Sequence, residues 1–258
     1  MDMEIRDLRV MVTAGAGGIG LEIARAFVRE GARVHVCDVD EVALARLATA
    51  DAAISGTRCD VAARGEVARF FEEGLAKLGG LDCFVNNAGI AGPTGRIDEI
   101  DPDEWDRCIA IDLTGQFNCA RLAVPHLRKS SNASLVNVSS LAGRLGFAMR
   151  TPYAAAKWGV VGLTRSLAVE LGPDNIRVNA LLPGIIAGER QVRVLTAKAK
   201  ARGISFEEME RLAFSYTSLK EYVTPQQLAD LVVFVASPRG RMISGQALVV
   251  DGDTNMLG

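Results

Sequence analysis

Short apolar runs alternate with helix-period segments along this 258-residue chain, and that alternation restricts the fold more than any other feature. LRVMVTA (8–14) reads as a strand buried on both faces, and LEIARAFVREG (21–31) as a helix stopped by Gly31. ARVHVCD (32–38) is a second strand, followed by a helix that Asp40 can cap. GTRCDV, LDCFVNNAG, SLVNVSS, IRVNALLPG and GQALVVDG mark further strands, with helical patterns between them. One long helix is expected from Asp101 to Ser130, and another through TPYAAAKWGVVGLTRSLAVELG. Such a chain builds βαβ units: a doubly wound, Rossmann-type parallel sheet with helices on both faces, in one α/β domain. No linker, repeat or low-complexity tract interrupts it. The one long departure, about residues 187–224, reads as a helical insertion over the sheet, placed as a substrate lid.

With 49% hydrophobic and 23% charged residues, the chain has ample material for a buried core. A net charge of −2 offers no basic surplus for nucleic acid, so small molecules or copies of the same chain are the expected partners. The five cysteines form no CxxC pair, and the two histidines have no partner at ligand spacing, so no metal site is expected. The charged N-terminus lacks a signal-peptide layout and no apolar run is long enough to span a bilayer. A reducing cytoplasm is the expectation.

Between the first strand and helix lies TAGAGGIG, in which Gly15, Gly17 and Gly20 satisfy GxGxxG. Glycines there let the backbone approach a pyrophosphate lying on a helix N-terminus. A glycine-rich turn can also serve only close helix–sheet packing, but its place after a strand and before a helix favours the nucleotide. Asp38 ends the second strand, where a carboxylate accepts hydrogen bonds from an adenosine ribose and repels a 2′-phosphate. Asp40 is better placed to cap the next helix, which leaves Asp38 for the ribose. The turn holds no arginine or lysine, so NAD is expected over NADP.

Taken together, these features resemble the short-chain dehydrogenase/reductase family over nearly the whole chain. TAGAGGIG is similar to the family's TGxxxGIG; CDV (59–61), NNAG (86–89), SS (139–140), YAAAK (153–157) and NALLPG (179–184) follow in the family's order. The resemblance implies a sheet of about seven strands and a homotetramer or homodimer. It places Gly15, Gly17, Gly18, Ile19 and Gly20 under the cofactor, and Asp60 and Val61 beside the adenine. Asn87, Ala88 and Gly89 would line the cleft, and Pro183, Gly184 and Ile186 the nicotinamide side. It assigns Tyr153 as general acid/base, Lys157 to the ribose hydroxyls and Ser140 to the substrate oxygen, with Ser139 left as a structural partner.

Residue chemistry agrees with that assignment. A phenol is weakly ionised at neutral pH, and an ammonium beside it favours the phenolate. Tyr153 and Lys157, at i and i+4, lie on one helix face. A serine-hydrolase reading fails, because SSLAG is no GxSxG elbow and no histidine accompanies it.

Three positions depart from the family pattern. Ala14 replaces its first glycine, which a methyl tolerates if φ there is negative. Gly188 stands where a threonine often contacts the carboxamide. Asp112 occupies the asparagine place of an Asn-Ser-Tyr-Lys tetrad, either supporting a water linked to Lys157 or forming a charge pair within its helix.

Arg144, Arg150, Arg190 and Arg193 surround the expected pocket and hint at a hydroxy acid, a sugar or a polyol, against the plainer reading of solvated surface charge. Met149, Ile185, Leu195 and Phe214 suit a bulkier ring or acyl group equally well. The reaction expected is NAD-dependent interconversion of a secondary alcohol and a ketone. Two other readings stay open: a 3-oxoacyl-type reductase, against which Asp38 argues, and a cofactor-binding regulatory protein without turnover, against which Ser140, Tyr153 and Lys157 argue.

Overall fold

Each apolar run becomes one strand of a single parallel sheet in the structure, a computed structural model that describes residues 2–257. The strands are β1 (Arg9–Thr13), β2 (Arg33–Asp38), β3 (Ile54–Arg58), β4 (Cys83–Asn86), β5 (Ser134–Val138), β6 (Arg177–Pro183) and β7 (Ala247–Val250). Every residue of β4, β5 and β6 is buried, which is why these runs are apolar without alternation. Strand order is β3-β2-β1-β4-β5-β6-β7, with Val12 opposite both Val36 and Val85. Parallel neighbours need crossovers, and helices supply them.

Those helices are α1 (Gly18–Arg29), α2 (Glu41–Ala50), α3 (Arg64–Leu78), α4 (Pro102–Ile109) and α5 (Gly115–Leu127). They continue with α6 (Thr151–Leu171), α7 (Glu189–Arg202), α8 (Phe206–Ser215) and α9 (Pro225–Ala236). One core lies between the sheet and α1, α2 and α9, around Phe27, Leu47 and Val232. The other lies under α3, α5 and α6, around Phe70, Phe84 and Leu171. Asp40 caps α2, accepting from the Ala43 amide at 3.0 Å. All five cysteines are unpaired and buried.

The single helix expected from Asp101 is instead two. A π-helical turn, Ala110–Thr114, joins α4 to α5 and carries Asp112 wholly inside the protein. Such a turn holds one more residue than an α-turn, and these insertions concentrate at functional sites. Residues 187–224 form α7 and α8 with a small core of their own around Leu195, Ala199 and Met209. Among the described residues, no helix is long and apolar enough to cross a membrane.

Strand order reverses at β1 and β4, so the crevice for a ligand opens at their C-terminal ends, beneath α7.

Candidate active site

At the tip of β1 the Thr13 hydroxyl accepts the amides of Asn87 and Ala88, both at 2.9 Å. Asn87 Nδ2 returns bonds to the Thr13 and Ala14 carbonyls at 3.0 and 3.2 Å, tying the ends of β1 and β4 together. The chain then turns at Ala14 with φ 50°. The condition of a negative φ, under which a methyl is readily tolerated, is not met: Ala14 takes the left-handed conformation that glycine adopts without strain.

The glycines that follow divide into two kinds. A Cβ on Gly15 would lie 2.6 Å from the Val36 side chain, and one on Gly20 only 2.1 Å from the Ala14 carbonyl oxygen. These two permit close packing of helix on sheet. Gly17 and Gly18 have nothing within 4 Å of a Cβ position and line the cleft with Ile19. The N-terminus of the 12-residue α1 has no side-chain cap, so its bare amides and positive dipole end face open space. Asp38 also lines the cleft, its carboxylate accepting the Ala16 and Asp40 amides at 3.1 Å each. Bare backbone for a diphosphate and a carboxylate for a ribose fit a dinucleotide. Asp60, Val61 and Ala88 lie off the cleft wall. Asp60 instead accepts the Ala62 amide at 2.9 Å ahead of α3.

Past β5 the chain divides the work of two serines. Ser139 donates to the Lys157 carbonyl at 2.8 Å and pins α6 to the strand. Ser140 faces the cleft and also accepts the Ala142 amide at 3.2 Å. Tyr153 and Lys157 both line the cleft from α6, with Nζ 5.6 Å from the phenol ring centre. Lys157 is 3% exposed and donates to the Val138 carbonyl at 3.2 Å. Its other neighbour is Asp112, whose Oδ2 lies 3.5 Å from Nζ. Asp112 Oδ1 accepts the Ile90 amide at 2.7 Å, while Oδ2 has no hydrogen bond. The charge pair thus joins two helical segments, not positions within one helix as supposed. A Cβ on Gly89 would come within 3.2 Å of both Oδ2 and Nζ, which explains a glycine beside them.

Pro183, Gly184, Ile186 and Gly188 continue the wall of a cleft of about 670 Å³. Gly188 has φ 144° and ψ 170°, a backbone region essentially restricted to glycine, so a threonine here would be strained. Of the four arginines, Arg144 is exposed and off the cleft, a correction that leaves it as solvated surface charge. Arg150, Arg190 and Arg193 line it. Arg190 reaches from α7 to the Gly89 and Ile90 carbonyls at 3.0 and 2.9 Å. Arg193 is exposed and sits 3.8 Å from Glu189. Ile185 and Leu195 are on the wall, but Met149 and Phe214 are not.

Sequence reasoning missed Phe147, Lys198 and the C-terminal Thr254, Met256 and Leu257, all of which line the cleft. The Lys198 ammonium lies 4.5 Å from the Phe147 ring centre and is 3% exposed. Burial, with Arg202 and Arg150 nearby, pulls its pKa down to about 8. No local motif marks these residues. They meet because Leu257 bridges to Phe147 and Lys198 of α7 lies over the Phe147 ring.

Comparison with known proteins follows the same lines. Residues 14–254 match the family model described as Enoyl-(Acyl carrier protein) reductase. The chain is 38% identical over 246 residues to cis-4-hydroxycyclohexanecarboxylate dehydrogenase from Sinomonas cyclohexanicum, covering 94% of each protein. It is 32% identical to D-beta-hydroxybutyrate dehydrogenase from Cupriavidus necator, covering 94% of this chain and 95% of the other. The crystal structure of levodione reductase superposes with a TM-score of 0.87 at 30% identity, over 96% of this chain and 97% of that one.

Proposed function

The chain belongs to the short-chain dehydrogenase/reductase family of oxidoreductases, and from that premise we propose that it interconverts a secondary alcohol and a ketone with NAD as cofactor. The observation that carries this reading is one cleft lined by Ser140, Tyr153 and Lys157 at one end and by the bare α1 turn and Asp38 at the other.

A bound nicotinamide dinucleotide supplies the hydride acceptor or donor. The chain's own residues handle the proton and the charge. In alcohol oxidation Tyr153 takes the hydroxyl proton as general base, and in ketone reduction it returns it. Lys157, buried beside it, sets a positive charge near the phenol, where negative charge develops in the reaction. Ser140 directs its hydroxyl at the substrate oxygen, where charge develops. Asp112 places a carboxylate 3.5 Å from the Lys157 ammonium nitrogen, a counter-charge inside the protein.

Asp38 favours NAD, because its carboxylate would face the 2′-phosphate of NADP across the α1 turn. The substrate is a polar hydroxylated small molecule, supported by relatives named for a hydroxycyclohexanecarboxylate and a hydroxybutyrate. A 3-oxoacyl-type reductase is the second reading, favoured by the description of the family model. Helices α7 and α8 act as the lid, with Arg190 as the contact that closes it over residues 89 and 90. A second copy of the chain covers the exposed face of α6 that carries Ala155, Trp158, Gly162 and Val169, with Arg165 at its edge. Five reduced, buried cysteines favour a cytoplasmic setting.

NADH formation with hydroxy acids, sugars, polyols and steroids tests the reading, with the NAD to NADP preference measured on the best substrate. Cofactor binding without oxidation of any alcohol sinks it, and a preference for NADPH with oxoacyl thioesters supports the second reading.

A further inference from the structure

We infer that the substrate of this dehydrogenase carries a carboxylate held by Arg150, so that its substrates are short hydroxy acids and the matching oxo acids. The inference rests on the dehydrogenase reading and narrows it.

Arg150 immediately precedes α6, three residues ahead of Tyr153, and is 2% exposed. Its guanidinium lies 5.2 Å from the Tyr153 ring centre and 5.4 Å from that of Phe147. Its one hydrogen bond among the described residues runs from Nη2 to the Ala91 carbonyl. Nε is buried and has no partner. No carboxylate of a described residue lies within 4.0 Å of it.

The other buried cations differ. Lys157 has Asp112 at 3.5 Å. Arg177 fills its fork with the Val235, Ala236 and Gly240 carbonyls and Asn132 Oδ1, which terminates α9. A buried guanidinium without counter-charge is costly, and it persists when a ligand supplies the missing anion. Burial already disfavours the charged form of Arg150.

The surroundings are built for such an anion. Arg150 separates the main cleft from an adjoining recess of about 470 Å³ whose lining includes Arg190 and Arg193 and no acidic residue. Lys198 lies over the same Phe147 ring, 4.5 Å from its centre. The planar fork of arginine matches a carboxylate bidentately. Its closeness to the Tyr153 ring sets the size: carboxylate and reacting carbon belong to one small molecule, separated by a few carbons.

The test compares matched pairs in the presence of NAD: 3-hydroxybutanoate and 4-hydroxycyclohexanecarboxylate, each against its methyl ester. In the wild-type protein kcat/KM for the acid exceeds that for the ester at least ~30-fold, as expected for a buried charge pair. Arg150→Gln lowers this acid-to-ester ratio at least ~30-fold whatever the absolute rates, and Arg150→Lys retains part of it. A role of Arg150 confined to packing against Tyr153 slows acid and ester alike and leaves the ratio unchanged, which overturns the assignment. Should Arg150→Gln fail to fold, the wild-type ratio and Arg150→Lys still decide. Equal oxidation of acids and esters by the wild type overturns the anion site while leaving the dehydrogenase standing. Oxidation of no alcohol at all overturns both.

Discussion

The two ends of the cleft are made of different material. The cofactor end is backbone: a left-handed Ala14, two glycines packed under their neighbours, two left open, and one carboxylate, all within residues 14–38. The substrate end is side chain: Phe147 and Arg150 ahead of α6, Arg190, Leu195 and Lys198 from α7, and Met256 and Leu257 from the C-terminus. Backbone shape is encoded locally and tolerates little change. Side chains that converge from distant segments can be exchanged one at a time, which lets one scaffold serve many substrates.

The largest effect follows from attacking the backbone end. Gly20→Val places branched carbon where a Cβ already meets the Ala14 carbonyl oxygen at 2.1 Å, and should cost about 3 kcal/mol of stability. Gly17→Ala, with open space above it, should leave stability nearly intact and weaken only cofactor binding. Thermal melts alongside dinucleotide titration separate the two; equal loss of stability would erase the distinction between packing and cradle glycines.

Acid should act on β2, the strand that ends in Asp38. His35 on β2 is buried against Phe70, between Ser55 Oγ at 2.7 Å and Thr57 Oγ1 at 3.1 Å. Burial, and then Lys77, pull its imidazole down to about 4. The unfolded chain takes up the proton first as pH falls, so stability held above about 6.5 is lost on the way to 4. The loss should approach ~3 kcal/mol at most. Urea unfolding at pH 7 and pH 4.5 measures it, and His35→Gln should flatten the difference.

Asp38→Ser changes the one side chain that matters at the backbone end. Removing the carboxylate should raise the NADP-to-NAD ratio of kcat/KM on the order of 10- to 100-fold. An unchanged ratio would mean that Asp38 serves only the Ala16 and Asp40 amides it accepts.

How much of this was readable from sequence follows the same division. The alternation of apolar runs and helical patterns marked the sheet, and the glycine turn, Ser140 and the YAAAK pair, each within one turn or helix, lie on one cleft. Asp40 and Ser139 took the structural roles expected of them. Residue type does not fix the sign of φ at Ala14, since alanine is an unusual occupant of that turn. The π-turn was invisible, because hydrophobic periodicity does not distinguish hydrogen bonds spanning four residues from bonds spanning five over so short a stretch. Lys198 looked like one more charge on a mixed helix, and its packing over Phe147 makes it a wall of the site.

Asp112 sits where the two ends meet. In Asp112→Asn the Lys157 ammonium loses its counter-charge and the phenol loses an opposing one. The acidic limb of the pH–rate profile for alcohol oxidation should move to lower pH. A profile that does not move would reduce Asp112 to a structural partner of Ile90 and Lys157.

The smallest effect should come from the lid. Arg190 is exposed, and its two bonds to the Gly89 and Ile90 carbonyls compete with water, so breaking them should cost below ~1 kcal/mol of stability. Those carbonyls nevertheless belong to the turn whose Ile90 amide holds Asp112, while Asp112 faces Lys157. Arg190→Gln should therefore raise the substrate KM about threefold, with the melting temperature and the affinity for NAD nearly unchanged. If NAD affinity falls as far as KM rises, the contact holds the cofactor turn in place and does not close the lid. The backbone end would then depend on a side chain from α7, and the division between the two ends would fail at that point.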